Sequence, residues 1–183
     1  MKRKLLILSV LAICIATLAA GTLAYFTSEE KAHNVITTGG VEIAVQEWAD
    51  ENKQTPVEDL EGIMPGMTVT KIAEIKNTGA SDAWIRVLIT KNIQLAGDGT
   101  PNTALVEPEL NIADWTEKDG YYYYKEALKP GEVTAPIFTA VTFKPEMGNE
   151  YQNATATVDV SAQAVQTANN GDTVMDAKGW PNS

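Results

Sequence analysis

The chain has 183 residues with 14 basic and 24 acidic side chains, one histidine, one cysteine and a formal charge of −10. Such an acidic balance speaks against nucleic acid, which needs a basic face, and against anionic membrane surfaces, while it favours solubility outside the cell. A single cysteine excludes an internal disulfide, and a single histidine excludes a paired-histidine zinc motif.

Lys2, Arg3 and Lys4 precede an apolar run over residues 5–20, and Gly21-Thr22-Leu23-Ala24 closes it. A basic start, an apolar centre and a small-x-small end are the layout of a secretory signal peptide, a helix of the precursor only. Thr22 and Ala24 suit the two shallow pockets of a signal peptidase, so the expected cut follows Ala24 and makes Tyr25 the mature N-terminus. The competing reading is an uncleaved anchor, because a spanning helix needs about 20 apolar residues. The strongly apolar stretch is shorter than that and ends in a well-formed site. Cys14 follows Ile13, where a lipobox needs a small residue, so no lipid anchor is expected. Contact with the membrane is thus expected only through the precursor's signal peptide.

Residues 1–24 hold three of the basic side chains and no acidic one, so the remaining 159 residues carry 11 basic against 24 acidic groups, or −13. That length suits one domain with its own core. The expected division is a signal peptide over 1–24, an N-terminal arm over 25–40, a β-domain over 41–166 and a loose, polar C-terminal extension over 167–183.

Period-two alternation between turn signals dominates this mature part, which predicts an all-β domain. Val41, Ile43 and Val45 alternate with polar neighbours and lead into Trp48. Residues 50–61 form an acidic loop. Met64-Pro65-Gly66-Met67 is a tight turn that delivers a strand over 68–76, closed by Asn77-Thr78-Gly79. Over residues 83–90, Ile85, Val87 and Ile89 share one face while Trp84, Arg86 and Leu88 share the other, the pattern of a central strand covered on both sides. Residues 97–102 read as an exposed loop. Asp119-Gly120 is a favoured hairpin turn between Trp115 and the run Tyr121-Tyr122-Tyr123-Tyr124. Lys129-Pro130-Gly131-Glu132 is another turn, before a strand over 137–143. In the last strand Ala154, Ala156, Val158, Val160, Ala162 and Ala164 line one face, which predicts one buried and one solvated side. The small alanines suggest close packing against Trp84 or the tyrosines. Some seven strands in this length predict a β-sandwich of immunoglobulin-like or jelly-roll type.

No catalytic constellation accompanies these strands, and no enzyme is expected from them. There is no Gly-x-Ser-x-Gly elbow, phosphate loop or dinucleotide fingerprint, and His33 reads as an exposed arm residue. No metal site is assigned and no cofactor is expected. Calcium is the one ion that the carboxylates could hold, through Asp50 and Glu51 with Glu58, Asp59 and Glu61, or through Asp98, Glu107 and Glu109. Neither set follows the alternating aspartate loop that calcium favours. Tyr121 and Tyr123 face one side of their strand and Tyr122 and Tyr124 the other, so half core and half surface pairing is expected rather than a sugar platform.

The segment Gly21-Thr22-Leu23-Ala24-Tyr25-Phe26-Thr27, followed by Asn34-Val35-Ile36-Thr37-Thr38-Gly39-Gly40-Val41-Glu42-Ile43, resembles the TasA and camelysin family of Gram-positive bacteria. Met64-Pro65-Gly66-Met67-Thr68-Val69, Lys76-Asn77-Thr78-Gly79 and Lys129-Pro130-Gly131-Glu132 are similar to turns of the same group. The resemblance implies a jelly-roll subunit, cut by a signal peptidase of the SipW kind, that is secreted and polymerises into fibres of the biofilm matrix or cell surface. It implies that the freed arm, residues 25–38, is a donor strand for the next copy, with Tyr25, Phe26, Val35 and Ile36 docking. Fully extended, such an arm would reach about 46 Å. The implied partners are copies of the chain, the signal peptidase and an anchoring or accessory matrix protein. The camelysin name also carries a rival reading, a cell-surface metalloprotease, and a monomeric adhesin or binding module is a third. An arm folded onto its own subunit is the plain alternative to donation.

Overall fold

Alternating apolar residues become nine strands among the described residues, which in the computed structural model are 35–37, 40–57 and 64–181. In chain order they are β1 (Val35–Thr37), β2 (Ile43–Trp48), β3 (Thr68–Asn77), β4 (Ala83–Gln94), β5 (Val106–Leu110), β6 (Trp115–Lys118), β7 (Tyr121–Tyr124), β8 (Phe138–Phe143) and β9 (Thr155–Gln166). One sheet has the order β1-β9-β4-β7-β6 and the other β2-β3-β8-β5. From β3 onward the chain passes back and forth between the sheets, with only the β6–β7 hairpin kept in one. That crossing makes an all-β sandwich of jelly-roll type.

The core lies between the sheets. Trp115, Phe138, Phe143, Ile75, Ile85 and Leu128 are its largest fully buried side chains, each contributing roughly 1.5–3 kcal/mol by leaving water. Polar atoms that enter it are matched: Trp115 Nε1 donates to the Ala135 carbonyl at 3.0 Å, and the Thr134 hydroxyl accepts from Ile75 N at 3.0 Å. Ala154, Ala156, Val158, Val160, Ala162 and Ala164 form the buried face foreseen for β9, together with Tyr122 and Tyr124 from the tyrosine strand. Trp84 is not on that face. It points out of the opposite side of the sheet into a second apolar cluster, because residues of β4 alternate and Trp84 is out of phase with Ala83 and Ile85.

One strand was not foreseen and one expectation is corrected. β5 lies where the sequence reading placed no element; its core reads Glu107-Pro108-Glu109, which hides alternation, yet a proline is tolerated on an edge strand, and β5 is the edge of its sheet. Residues 167–181, expected to be loose, fold back over the outer face of β9, β4 and β7. Val174 is buried there among Trp84, Tyr123 and Val165, with Ala177 and Trp180 packed against them. The apolar residues Trp84, Tyr123 and Val165 need such a cover, so this side of the sheet is solvated only over part of its length.

The turn after β3 fixes how β2 sits. Thr78 N and Gly79 N both donate to the Glu42 carbonyl at 3.0 Å. A Cβ at Gly79 would meet Glu42 N at 2.7 Å, a backbone atom that cannot yield. Gly79→Ala is therefore expected to destabilise by roughly 1–3 kcal/mol, measured as a lower urea midpoint at unchanged slope.

Candidate functional site

Strand β9 is paired with β4 along all twelve residues, from Ala83↔Gln166 to Gln94↔Thr155. Its other side is different. There β1 lies parallel to it and covers only three positions, Val35↔Ala162, Ile36↔Gln163 and Thr37↔Ala164. Among the described residues no strand pairs with 155–161 on that side. A strand whose inward face is buried and whose edge is unmatched presents a row of N–H and C=O groups to any extended segment that reaches it.

This edge comes about through the residues around it. Gly39 and Gly40 separate β1 from β2, Gly40 with φ +76, so the chain leaves the edge of one sheet and enters the edge of the other. The inward alanines of β9 leave room for Val41, Ile43 and Val45, buried across the same core. Two other edges are less inviting. β5 carries Pro108 between two glutamates, and β6 has only four residues ending in Glu117 and Lys118, devices that discourage pairing.

Of the residues foreseen for docking, Val35 and Ile36 lie in β1, which pairs with the chain's own β9. Thr22, Ala24, Tyr25 and Phe26 fall outside the described residues. Nothing in the sequence showed that β9 would be the partner or that the pairing would be parallel.

The opposite sheet carries a charged cluster. Lys71 Nζ lies 2.9 Å from Glu47 Oε1, both nearly buried. Glu74 takes Lys53 Nζ on one carboxylate oxygen and Trp48 Nε1, at 3.1 Å, on the other. The loop over 49–57 closes beside them, its Asp50 carboxylate accepting from Thr55 N at 2.6 Å and Gln54 N at 3.2 Å. These hydrogen bonds, that of Thr55 foremost, hold the Asp50 carboxyl below its ordinary 3.8. Glu107 is engaged by Lys144 at 3.2 Å.

The described residues form a two-sheet sandwich with a short parallel strand laid on one edge. Residues 1–104 match the family of camelysin metallo-endopeptidases, and the chain belongs to that family. The membership supports a secreted or cell-surface protein. No curated protein and no solved structure matches the chain.

The family's description implies a catalytic metal. Among the described residues no three of histidine, cysteine, aspartate and glutamate come together, and the carboxylates that do cluster are engaged with Lys53, Lys71 and Trp48. The only histidine of the chain, His33, lies outside the described residues, as do Glu58, Asp59 and Glu61. The donor set among the described residues does not fit a peptidase metal.

Proposed function

We propose that this protein is a secreted structural subunit that polymerises by strand addition, the N-terminal arm of one copy adding to the β9 edge of the next. The observation that carries this reading is the mismatch in length at that edge: β4 holds all of β9, whereas among the described residues β1 covers three positions. Continued at the register of Val35↔Ala162, residues 28–34 of an arm would meet residues 155–161. The backbone then supplies affinity, and the alternation of side chains fixes register.

Three parallel pairs are a slight hold, since short strands and parallel pairing are both weak. A β1 resting on its own subunit is thus a state that an incoming arm competes with. Signal-peptide removal fits the same logic, because residues 25–34 become a free end only after the cut following Ala24. The partners of this reading are a SipW-type signal peptidase and further copies of the chain, with an accessory protein to anchor the fibre.

The peptidase reading has the family's description in its favour and no fitting donor set among the described residues. N-terminal sequencing of the secreted protein joined to electron microscopy tests the choice. Tyr25 as the first residue, with fibres that grow on concentration, is the expected result. A monomer at every concentration, or metal-dependent proteolysis without fibres, would sink the proposal.

A further inference from the structure

The strap formed by residues 167–181 meets β9 where β1 does, and one side chain joins the strap to a β9 residue that β1 pairs with. Arg86, in β4, lies with its guanidinium carbon 4.0 Å from the Tyr121 ring centre and 4.7 Å from that of Trp180. Its Nε donates to Gln163 Oε1 at 2.7 Å, Nη1 to the Tyr123 hydroxyl at 3.2 Å and Nη2 to the Pro181 carbonyl at 3.3 Å. Gln163 is the residue of β9 that stands opposite Ile36 in the β1 pairing. A single cation therefore ties β4, β7, β9 and the strap together, within cation–π range of a ring on β7 and a ring on the strap.

The strap is itself a closed unit. Asn170 accepts from Lys178 N at 2.8 Å and donates to the Lys178 and Gln166 carbonyls at 3.0 and 3.1 Å, while Trp84 Nε1 donates to the Asn170 carbonyl at 3.2 Å. Trp180 stands edge-on to Tyr123 at 5.7 Å. Without this cover, Val165 and Trp84 would face water at the end of β9 that holds β1.

We propose that the strap, keyed by Arg86, is a latch that sets how fast β1 leaves the β9 edge. The part concerning fibres rests on the strand-addition reading; the part concerning β1 does not. A strap backs the same β9 residues whichever copy's arm lies on them. It supports the resting and the polymerised state alike, and equal support shifts no equilibrium. Loss of the latch changes the rate of exchange and leaves the final partition alone.

Hydrogen exchange on the mature protein, residues 25–183, tests this with two variants. One is Trp180→Ala; the other carries a protease site between Asn170 and Gly171 and is compared before and after cutting. The expected result is amide exchange at 35–37 and 162–166 accelerated on the order of tenfold, ~1.4 kcal/mol of local opening, with β2 and β3 unchanged. Fibres should grow faster to the same final mass. Unchanged exchange at 35–37 in both variants, acceleration spread evenly over the domain, or a changed final mass overturns the latch. If neither the intact protein nor the variants form fibres while exchange at β1 rises, the latch stands and the strand-addition reading falls.

Discussion

Deleting residues 25–34 from the processed protein is expected to abolish fibre growth and to leave the sandwich folded. Among the described residues the buried clusters draw on Val41 to Val174, and β9 has its twelve pairs with β4. The thermal midpoint should thus move by no more than about 2 °C, below the shift that the loss of a single good core contact produces. Electron microscopy should show no fibres at concentrations where the intact protein forms them. The deletion leaves the accepting edge in place, which gives a sharper result in mixtures. A copy without an arm can still receive one, then has none to offer, so small fractions of it should shorten fibres of the intact protein in proportion to dose. Fibres of normal length in such mixtures would show that the β9 edge does not accept arms.

The proposed asymmetry between a donating end and an accepting edge also bears on the opposite sheet. Its edges are β2 and β5. The end of β2 is closed by the 49–57 loop, where Ala49 N donates to the Thr55 carbonyl at 2.8 Å and Trp48 bridges to Pro56; β5 has its proline. One long, regular edge in the described domain is the condition for linear growth, since a second open edge would allow branching or sheet-to-sheet clumping.

What the sequence revealed follows from how local each signal is. β4 and the inward face of β9 were legible because period-two alternation lies within one segment. The Asp119-Gly120 hairpin was legible because its torsions, φ +54 and +81, are those that this residue pair tolerates. β5 was missed because a strand at an edge keeps its hydrogen bonds on one side only and can hold Pro108. The strap was missed because Val174-Met175 and Trp180 follow no strand or helix period, and the partners of Val174 and Trp180, namely Trp84, Tyr123 and Val165, belong to three different strands. At the candidate site, Val35 and Ile36 did fall in a strand, but its partner is Ala162 to Ala164. No local pattern encodes a parallel pairing across that separation.

Asn77→Ala is expected to destabilise the protein by about 2–4 kcal/mol, a sizeable part of the stability of an ordinary domain. Asn77 is fully buried. Its Nδ2 donates to the Ser81 and Leu128 carbonyls, both at 2.8 Å, and its Oδ1 accepts from Gly79 N at 3.0 Å. Its own N donates to the Glu132 carbonyl at 3.0 Å and its carbonyl accepts from Gly131 N at 2.9 Å. One residue thus fastens the end of β3 to the entry of β4 and to the turn at Pro130. Alanine keeps the backbone bonds, and Gly79 N and the Leu128 carbonyl keep the Glu42 carbonyl and Ala83 N as partners, but three side-chain hydrogen bonds are lost, each worth about 0.5–1.5 kcal/mol net. Asn77→Asp separates this account from a simple packing defect. An ionised carboxylate has no proton for either carbonyl, so burial and those oxygens together favour its neutral form and raise its pKa in the folded state. A raised folded pKa means stability that is present in acid and lost as pH rises through the carboxylate range. The urea midpoint of Asn77→Asp should fall on going from acid to neutral pH relative to that of Asn77→Ala. Parallel pH profiles for the two variants, or an alanine variant within about 1 kcal/mol of the native protein, would remove Asn77 from this role.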